Sequence, residues 1–375
     1  MKIYIIAGEA SGDLHGSNLI KAINKIKPDV KFRCWGGDKM HKAGAKIVKH
    51  IKDLAFMGFI EVLLNLRTIL NNISFCKRDI INYSPDAIVL IDYPGFNIRI
   101  STWAKTRGIP VYYYISPQIW AWKQSRVYKL KSSVEKIYTI LPFEKEFYKK
   151  FNMDVEYVGH PLLEEILNYL NKIKSKSSFI DKNNLLNKPI IAILPGSRKQ
   201  EINVKLPLML KAAREYNQYQ IIVAGAPNID QKIYYKYGLK EESLIYGNTY
   251  EIITYADAAI VTSGTATLET ALLGTPEVVC YKGSRVSYLI ARLLIKVKYI
   301  SLVNLIMNKQ IVVELIQNEC TPKQISKELN LLLNNFSYRE KMLNSFTELR
   351  TKLGEDGASQ KVAQSLIYDL SNHKR

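Results

Sequence analysis

The stretch AAIVTSGTATLETALLGTP, residues 258–276, guides the interpretation of the rest of the chain. Its first four residues, 258–261, are apolar and predict a short strand, and residues 262–265 predict a turn. The apolar residues that follow recur at helical spacing and predict a helix, which Gly274 and Pro276 end. The sequence therefore predicts a loop of small residues between the end of a strand and the start of a helix.

This loop is a candidate anion site. Ser263 or Thr265 can cap the helix, and Gly264 between them keeps the loop small. Free backbone N–H groups and the helix dipole both favour negative charge at this point. Glu269, just over one helical turn further on, cannot be there to attract a phosphate, so we interpret it as an acceptor for sugar hydroxyls. An ordinary strand, turn and helix with an exposed Glu269 is the alternative.

Composition restricts the class of protein. The 375 residues are enough for two α/β domains, and the formal net charge of +19 favours anionic partners. A phosphorylated substrate or an acidic membrane surface fits this charge, although part of the excess reflects a chain rich in Lys, Asn and Ile. The sequence has no basic tail, zinc pattern or RNA-binding signature, so we expect no nucleic acid partner.

Metal, cofactor and targeting signals are not found in the sequence. The four cysteines are far apart without a C-x-x-C pair, the histidines show no metal-ligand spacing, and Asp-x-Asp does not occur. We therefore expect reduced thiols, no metal and no cofactor. The N-terminus does not have the pattern of a signal peptide, and no apolar run is long enough to span a bilayer. We expect a cytoplasmic protein, with attachment to a membrane surface left open.

Apolar strand-like runs alternate with helical stretches along both halves of the chain. This alternation predicts the α/β class, with two Rossmann-like, doubly wound domains that face a cleft. We expect an N-terminal domain over residues 1–170, a polar linker over 171–188 and a C-terminal domain over 189–345. The charged helices of residues 346–375 are expected to pack back on the N-terminal domain.

The first half contains two candidate loops. Residues 8–13, GEASGD, match neither G-x-G-x-x-G nor a P-loop, so we interpret Glu9, Ser11 and Asp13 as a polar wall for a substrate. Ser11 as a helix cap is the alternative. Asp92 directly follows the apolar run 87–91, and an acid at a strand's carboxyl end is well placed to act as a general base. Asp86 competes for this role, but it precedes the same strand.

The second half adds phosphate-binding candidates. Gly196, Ser197 and Arg198 follow the first strand of this half; the glycine lets the backbone approach a phosphate, and the arginine can bind it in bidentate fashion. This loop is expected to lie at the same sheet edge as the Ser263 loop. Asn304 offers an amide after an apolar stretch, which by itself says little.

Two stretches are candidates for membrane contact. Residues 60–70 carry an apolar arc wider than a single core-facing stripe needs, and residues 285–298 carry a basic stripe beside apolar positions. A nearly buried helix and a core helix with a solvated basic face are the alternatives. The candidate contacts are Ile60, Leu63, Leu66, Arg67, Leu70, Arg285, Arg292 and Lys296.

A set of motifs, in order along nearly the whole chain, resembles the lipid-A-disaccharide synthases, a family of inverting glycosyltransferases. The motifs are AGEASGD (7–13), GGDKM (36–40), MGFIEVL (57–63), IDYPGFN (91–97), YYISPQIWAWK (113–123), ILPFE (140–144), VGHPL (158–162), LPGSR with QEI (194–202), SGTATLE (263–269) and SLVNL (301–305).

The resemblance implies a GT-B fold and a metal-independent reaction. The implied reaction transfers 2,3-diacylglucosamine from its UDP conjugate to 2,3-diacylglucosamine 1-phosphate and forms a β-1,6 disaccharide and UDP. It also implies a peripheral location on the inner face of the bacterial cytoplasmic membrane. Family members can exchange their C-terminal region between subunits, so a homodimer is compatible with it.

The resemblance also assigns roles to single residues. Asp92 matches the proposed base, while Arg198 and Asn304 match essential residues of the family. Glu269 fits the ribose-binding acid of GT-B enzymes in general, and the apolar stretch 60–70 matches the segment thought to enter the membrane.

The chain departs from the family pattern at Gly95, Gln118 and Val303, where we expect Asp, Ser and Pro. These departures bear on the fit of the acceptor or of the acyl chains. Two other functions remain open at this point: a different UDP-sugar GT-B enzyme, such as a 2-epimerase, and a non-enzymatic basic protein of the membrane surface.

Overall fold

The computed structural model describes residues 1–54, 66–284, 288 and 297–372. The chain forms two compact units. Met1–Pro161 and Glu355–Arg375 form the first, and Leu162–Gly354 forms the second.

The first unit is built on a parallel sheet in the order β3-β2-β1-β4-β5-β6-β7. Its strands are β1 Lys2–Ala7, β2 Lys31–Gly36, β3 Lys46–His50, β4 Ala87–Ile91, β5 Val111–Tyr114, β6 Lys136–Thr139 and β7 Glu156–Tyr157. The helices that connect them are α1 Ala10–Ile26, α2 Asp38–Lys42, α3 Leu66–Tyr83, α4 Pro94–Lys105, α5 Arg126–Ser133 and α6 Glu144–Lys149, with a short 3-10 helix at Ile51–Asp53.

The second unit repeats this plan with the strand order β10-β9-β8-β11-β12-β13. Its strands are β8 Ile190–Leu194, β9 Gln220–Gly225, β10 Leu244–Tyr246, β11 Ala258–Thr262, β12 Glu277–Tyr281 and β13 Val313–Ile316. Its helices are α7 Pro161–Leu170 (which starts at the boundary), α8 Lys176–Lys182, α9 Lys199–Ala213, α10 Lys232–Tyr235, α11 Thr249–Tyr255, α12 Thr265–Leu272, α13 Leu302–Met307, α14 Pro322–Asn334 and α15 Phe336–Lys352, with a 3-10 helix at Glu241–Ser243.

The last helix, α16 Ala358–Asn372, belongs to the first unit. Its apolar face, which includes Leu366 and Leu370, joins the core cluster that contains Leu19 and Ile23 of α1. The C-terminal helix therefore packs on the N-terminal unit.

The central strands are buried along their whole length because helices cover both faces of each sheet. Every residue of β4, β8 and β11 is buried, which explains their continuous apolar sequences. In both sheets the strand order reverses between the first and fourth strands, β1 and β4 or β8 and β11. Doubly wound sheets bind ligands at the carboxyl ends of the strands at such a switch point.

Two strands were not predicted. β3 carries two lysines and is half exposed at the sheet edge, and β13 is a four-residue edge strand that Glu314 interrupts and that is only partly buried. Neither offers the buried apolar run that predicted the central strands.

The expected linker and domain limits differ from the observed units. Residues 171–188 contain α8, and its Phe179 is buried in the core of the second unit. That unit begins at Leu162 and continues to Gly354, because α15 extends through Lys352.

The GEASGD loop is also shorter than expected, because α1 starts at Ala10. Gly12 lies inside the helix, where an added Cβ would approach the Ala7 side chain to 3.0 Å. The glycine thus allows helix and strand to pack closely. Ser11 caps nothing; the N-cap position belongs to Glu9, whose side chain makes no capping hydrogen bond.

Candidate active site

Asp92 lies at the switch point of the first sheet. β1 and β4 pair in parallel with Ala7 beside Ile91, so the loops that start at Gly8 and Asp92 are neighbours. Both Asp92 and Tyr93 have positive φ angles, 45° and 49°, which is a strained backbone conformation for residues other than glycine.

Side chains hold this strained turn in place. Tyr113 donates its hydroxyl to the Asp92 carbonyl at 2.5 Å, and Asn97 donates its Nδ2 to the same oxygen at 2.8 Å. The backbone under the Asp92 carboxyl is therefore fixed from two neighbouring elements.

The Asp92 carboxyl has an unusual charge balance. Burial first, and then the neighbouring Glu9 carboxyl within hydrogen-bonding reach, together raise its pKa to about 7. A hydrogen bond from the Tyr93 backbone opposes these effects. A carboxyl whose pKa lies near neutral pH suits a general base.

Two other acids of the first unit, Asp13 and Asp86, have structural roles. Asp13 accepts hydrogen bonds from the N–H groups of Gly37, Lys39 and Met40, at 2.7, 3.1 and 3.1 Å, and so caps α2. Asp86, the competing base, precedes β4 and accepts from the Lys2 N–H at 2.7 Å. Ser11 is exposed on α1. The structure thus brings Asp92 together with Glu9 and leaves Asp86 at the opposite edge.

The second sheet has its own loops at the matching switch point. β8 and β11 pair in parallel with Leu194 beside Val261, which makes the loops after these strands neighbours. Gly196 has a φ of 117°, and a Cβ there would collide with the Glu201 carboxylate. Glu201 accepts from the Ser197 N–H at 3.3 Å and lies 3.8 Å from the Arg198 guanidinium. Arg198 remains 61% exposed, so its guanidinium is open to a ligand.

The Ser263 loop differs from the prediction in its cap. Gly264, with a φ of 151°, occupies the N-cap position of α12, and no side chain caps the helix. Ser263 instead donates its hydroxyl to the Ile300 carbonyl at 3.3 Å. The first N–H groups of an α-helix have no intrahelical partner, so the start of α12 at Thr265 offers donors to a ligand.

A cavity of about 500 Å³ joins these two loops. Six predicted residues line it: Gly196, Ser197, Arg198, Ser263, Gly264 and Thr265. Glu201, Pro227 and Thr249 line it too, although no motif in the sequence pointed to them. A larger cavity of about 910 Å³ lies where β9 begins, at the opposite edge. The smaller one combines glycine backbone, arginine and a helix start, and so suits a phosphate-bearing ligand.

Glu269 and Asn304 are not among the residues that line this cavity. Glu269 accepts a hydrogen bond from the Tyr250 hydroxyl at 3.3 Å, and burial raises its pKa. Asn304 is fully buried: it donates to the Val312 carbonyl and the Glu314 carboxylate, at 2.8 Å each. Its side-chain oxygen also accepts hydrogen bonds from the Ile311 and Val312 N–H groups, so Asn304 links α13 to the segment before β13.

Glu314 connects Asn304 to the Ser263 loop. Its carboxylate accepts from the N–H groups of Ile300 and Ser301, at 3.0 and 2.9 Å, and from the Ser301 hydroxyl at 2.7 Å. Ile300 in turn accepts from Ser263. No local sequence pattern indicates this role of Glu314, because its partners come from separate elements.

Most of the predicted membrane contacts fall on residues or side chains that the structure does not describe. Ile60, Leu63, Arg285, Arg292 and Lys296 lie outside the described residues, and the side chain of Leu66 is not described either. Arg67 is exposed, and Leu70 is 49% exposed on α3. None of the helices in the described parts of the chain is long and apolar enough to cross a membrane.

The described residues contain no group of three or more His, Cys, Asp or Glu with metal-binding geometry. Burial lowers the pKa of His15 to about 4 and that of His160 to about 3, so both are neutral at pH 7. Of the family departures, Gly95 and Gln118 are exposed and Val303 is buried in α13.

Solved structures share this architecture. The UDP-GlcNAc 2-epimerase from Neisseria meningitidis bound to UDP-GlcNAc matches with a TM-score of 0.68 at 14% identity, over 98% of this chain and 100% of that one. The glycotransferase of kitacinnamycin matches with a TM-score of 0.63 at 12% identity, over 98% and 99%. At these identities the likeness shows the fold alone. That fold is GT-B, which the family resemblance implied.

Sequence comparison defines the family. The family model described as lipid-A-disaccharide synthetase matches residues 3–366. The lipid-A-disaccharide synthase of Syntrophus aciditrophicus is 40% identical over 369 residues, 96% of each chain. The chain therefore belongs to the lipid-A-disaccharide synthase family, which confirms the resemblance. This membership does not favour the epimerase or the non-enzymatic alternative, since the likeness to epimerases concerns the fold.

Proposed function

We propose that this protein transfers 2,3-diacylglucosamine from its UDP conjugate to 2,3-diacylglucosamine 1-phosphate. The products are the β-1,6 disaccharide 1-phosphate and UDP. The observation that carries the proposal is the family match over residues 3–366. The two switch-point loops supply groups suited to the two halves of this reaction.

Asp92 is the proposed base. It removes the proton from the primary hydroxyl of the acceptor while that oxygen attacks the anomeric carbon of the donor. A pKa of about 7 leaves a substantial fraction of the carboxyl ionised at neutral pH. Glu9 raises the pKa of this carboxyl and lines the acceptor side of the proposed site. Ser11 is proposed to contact the acceptor from the exposed start of α1.

The second unit holds the leaving group. Departing UDP gains negative charge on its diphosphate, and Arg198 with the N–H groups at the start of α12 stabilises that charge. Gly196 and Ser197 let the backbone approach the phosphates, as do Ser263, Gly264 and Thr265. Glu269 is the proposed acceptor for the ribose hydroxyls, while Asn304 positions the segment that supports Ser263. These groups need no metal or cofactor.

The proposal includes a peripheral location on the inner face of the bacterial cytoplasmic membrane, because both substrates carry acyl chains. Arg67 and Leu70 are the described members of the proposed contact surface; Ile60, Leu63, Leu66, Arg285, Arg292 and Lys296 complete it. The variant Leu70→Ser should bind anionic vesicles more weakly than the parent at an unchanged melting temperature, since Leu70 is 49% exposed. Equal vesicle binding would remove Leu70 from the surface.

A homodimer is the remaining part of the proposal. Sedimentation of the purified protein measures it directly, and a monomer at micromolar concentration would contradict it.

The variant Asp92→Asn tests the role of the base. Amide replacement removes proton acceptance, so turnover should fall roughly a hundredfold or more while UDP affinity stays unchanged. Asp86→Asn is the matched control, since this acid lies at the opposite end of the same strand, where it accepts a hydrogen bond from the Lys2 N–H. Normal turnover in Asp92→Asn would place the base elsewhere.

A further inference from the structure

A cationic and aromatic cluster lies beyond the carboxyl end of β5. The Arg126 guanidinium stands over the Trp122 ring at 5.0 Å from its centroid, and the Lys123 ammonium lies 4.9 Å from the same centroid. Trp122 is 37% exposed, so the cluster faces solvent on one side. We call Trp122, Lys123 and Arg126 the cationic cluster.

Arg126 has no carboxylate partner among the ion pairs of the described residues. It is the first residue of α5 and is partly buried, and this burial lowers its pKa while the nearby Tyr113 hydroxyl opposes the change. A guanidinium that stacks on an aromatic ring keeps its in-plane N–H groups for a ligand. A partly buried guanidinium that forms no ion pair with a carboxylate of the described residues suits an anionic ligand.

The cluster is linked to the proposed base through one side chain. Tyr113 donates to the Asp92 carbonyl at 2.5 Å, and its hydroxyl also interacts electrostatically with both Asp92 and Arg126. Tyr113 is therefore the side chain that interacts with both the base and the cationic cluster.

The backbone around the cluster is strained. Lys123 has a φ of 51°, and Ile115, at the end of β5, has a φ of 61°, which is rare for a β-branched residue. Such conformations concentrate at functional sites, where the surrounding structure maintains them. Together with the turn at Asp92, the strain marks two adjacent strand ends, since β4 and β5 pair directly.

We propose that Trp122, Lys123 and Arg126 form the subsite for the phosphate monoester of the acceptor sugar. A phosphate monoester carries nearly two negative charges at pH 7, and arginine can bind two of its oxygens at once. The acidic pair of Asp92 and Glu9 repels such an anion, so binding of the phosphate by the cationic cluster fixes which end of the sugar faces the base. The identity of the acceptor rests on the proposed function, whereas the phosphate subsite can be tested without it.

Kinetics with two acceptors test the subsite. Arg126→Ala should raise the KM for the 1-phosphate acceptor roughly ten- to a hundredfold, the usual effect of losing charge-assisted hydrogen bonds. The KM for the UDP donor should not change. With the same diacylglucosamine lacking its phosphate, the variant and the parent should have equal kcat/KM. Lys129→Ala is the matched control, since Lys129 is an exposed cation of the same helix outside the cluster. An equal loss with both acceptors would overturn the proposal.

Binding of a soluble probe separates this inference from the proposed function. By calorimetry, the parent should bind glucosamine 1-phosphate more tightly than glucosamine, and Arg126→Ala should lose that preference while Arg126→Lys keeps part of it. This result would support the subsite even if no disaccharide formed, whereas equal binding by parent and Arg126→Ala would refute it. If Arg126→Ala lost affinity for vesicles of phosphatidylglycerol but not for the sugar phosphate, the cluster would bind lipid headgroups, and the proposal would be wrong. Circular dichroism verifies that each variant is folded.

Discussion

Removing the Glu9 charge should shift the pH dependence of turnover. Burial and Glu9 together raise the pKa of Asp92 to about 7, and a general base acts only when it is deprotonated. The variant Glu9→Gln keeps the size of the side chain but removes its negative charge. Since a like charge disfavours ionisation, its removal should lower the pKa of Asp92. The variant should therefore retain more of its own maximal activity at low pH than the parent does.

The size of this effect follows from the titration. With a pKa of about 7, the ionised fraction of Asp92, and with it kcat/KM, should rise about tenfold from pH 6 to pH 8 in the parent. If the loss of Glu9 lowers the pKa by one unit, only about a twofold rise remains over the same interval. The acceptor phosphate titrates near this range as well, but its contribution is common to both proteins and cancels in the comparison.

Initial rates at subsaturating acceptor, measured from pH 5.5 to 8.5, give the two profiles. Because Glu9 also faces the acceptor, each profile is normalised to its own maximum. Glu146→Gln is the control, since Glu146 is an exposed carboxylate of the same unit. Superimposable profiles for the parent and Glu9→Gln, or a flat parent profile between pH 6 and 8, would refute the coupling of the two carboxyls.

Three further predictions concern the second unit. Arg198→Ala should weaken UDP binding roughly ten- to a hundredfold in calorimetry, because its exposed guanidinium lines the anion cavity; unchanged affinity would remove it from the phosphate site. Glu314→Gln should lower the melting temperature and weaken UDP binding, because an amide cannot accept all four donors that now bond the carboxylate; a stable variant with normal UDP affinity would contradict the positioning role. Glu277 is fully buried, neither of its side-chain oxygens has a hydrogen-bond partner among the described residues, and burial raises its pKa well above the usual value. The stability that depends on this protonated carboxyl is therefore complete below the unfolded pKa and is lost as pH rises towards the folded pKa, so the parent should lose stability relative to Glu277→Gln between pH 5 and 7. Denaturant unfolding at both pH values measures this, and an identical pH dependence would show that Glu277 is not neutral in the folded state.

The sequence predicted what depends on local pattern. The strands 87–91 and 190–194 could be placed to the residue because helices cover both faces and leave continuous apolar runs. Asp92 and Arg198 could be selected because a doubly wound sheet collects its functional loops at the carboxyl ends of its strands.

The roles that the sequence did not reveal depend on contacts between elements that are distant in the chain. Asp13 looked like part of a substrate wall, yet its carboxylate caps a helix that starts some twenty-five residues later, at Asp38. Asn304 matches an essential residue of the family, and the structure adds that Glu314 and the backbone bond both its side-chain nitrogen and its side-chain oxygen. Arg126 lies next to a quoted motif, but its relation to Asp92 passes through Tyr113 and becomes visible only when the strands are paired.

The most direct test of the central claim is a product measurement. Purified protein is mixed with UDP-2,3-diacylglucosamine and 2,3-diacylglucosamine 1-phosphate in the presence of EDTA, and both UDP and disaccharide are quantified. We predict that the two products form in equal amounts. UDP without disaccharide would indicate hydrolysis or another acceptor, and the absence of both products with UDP still bound would contradict the proposed transfer.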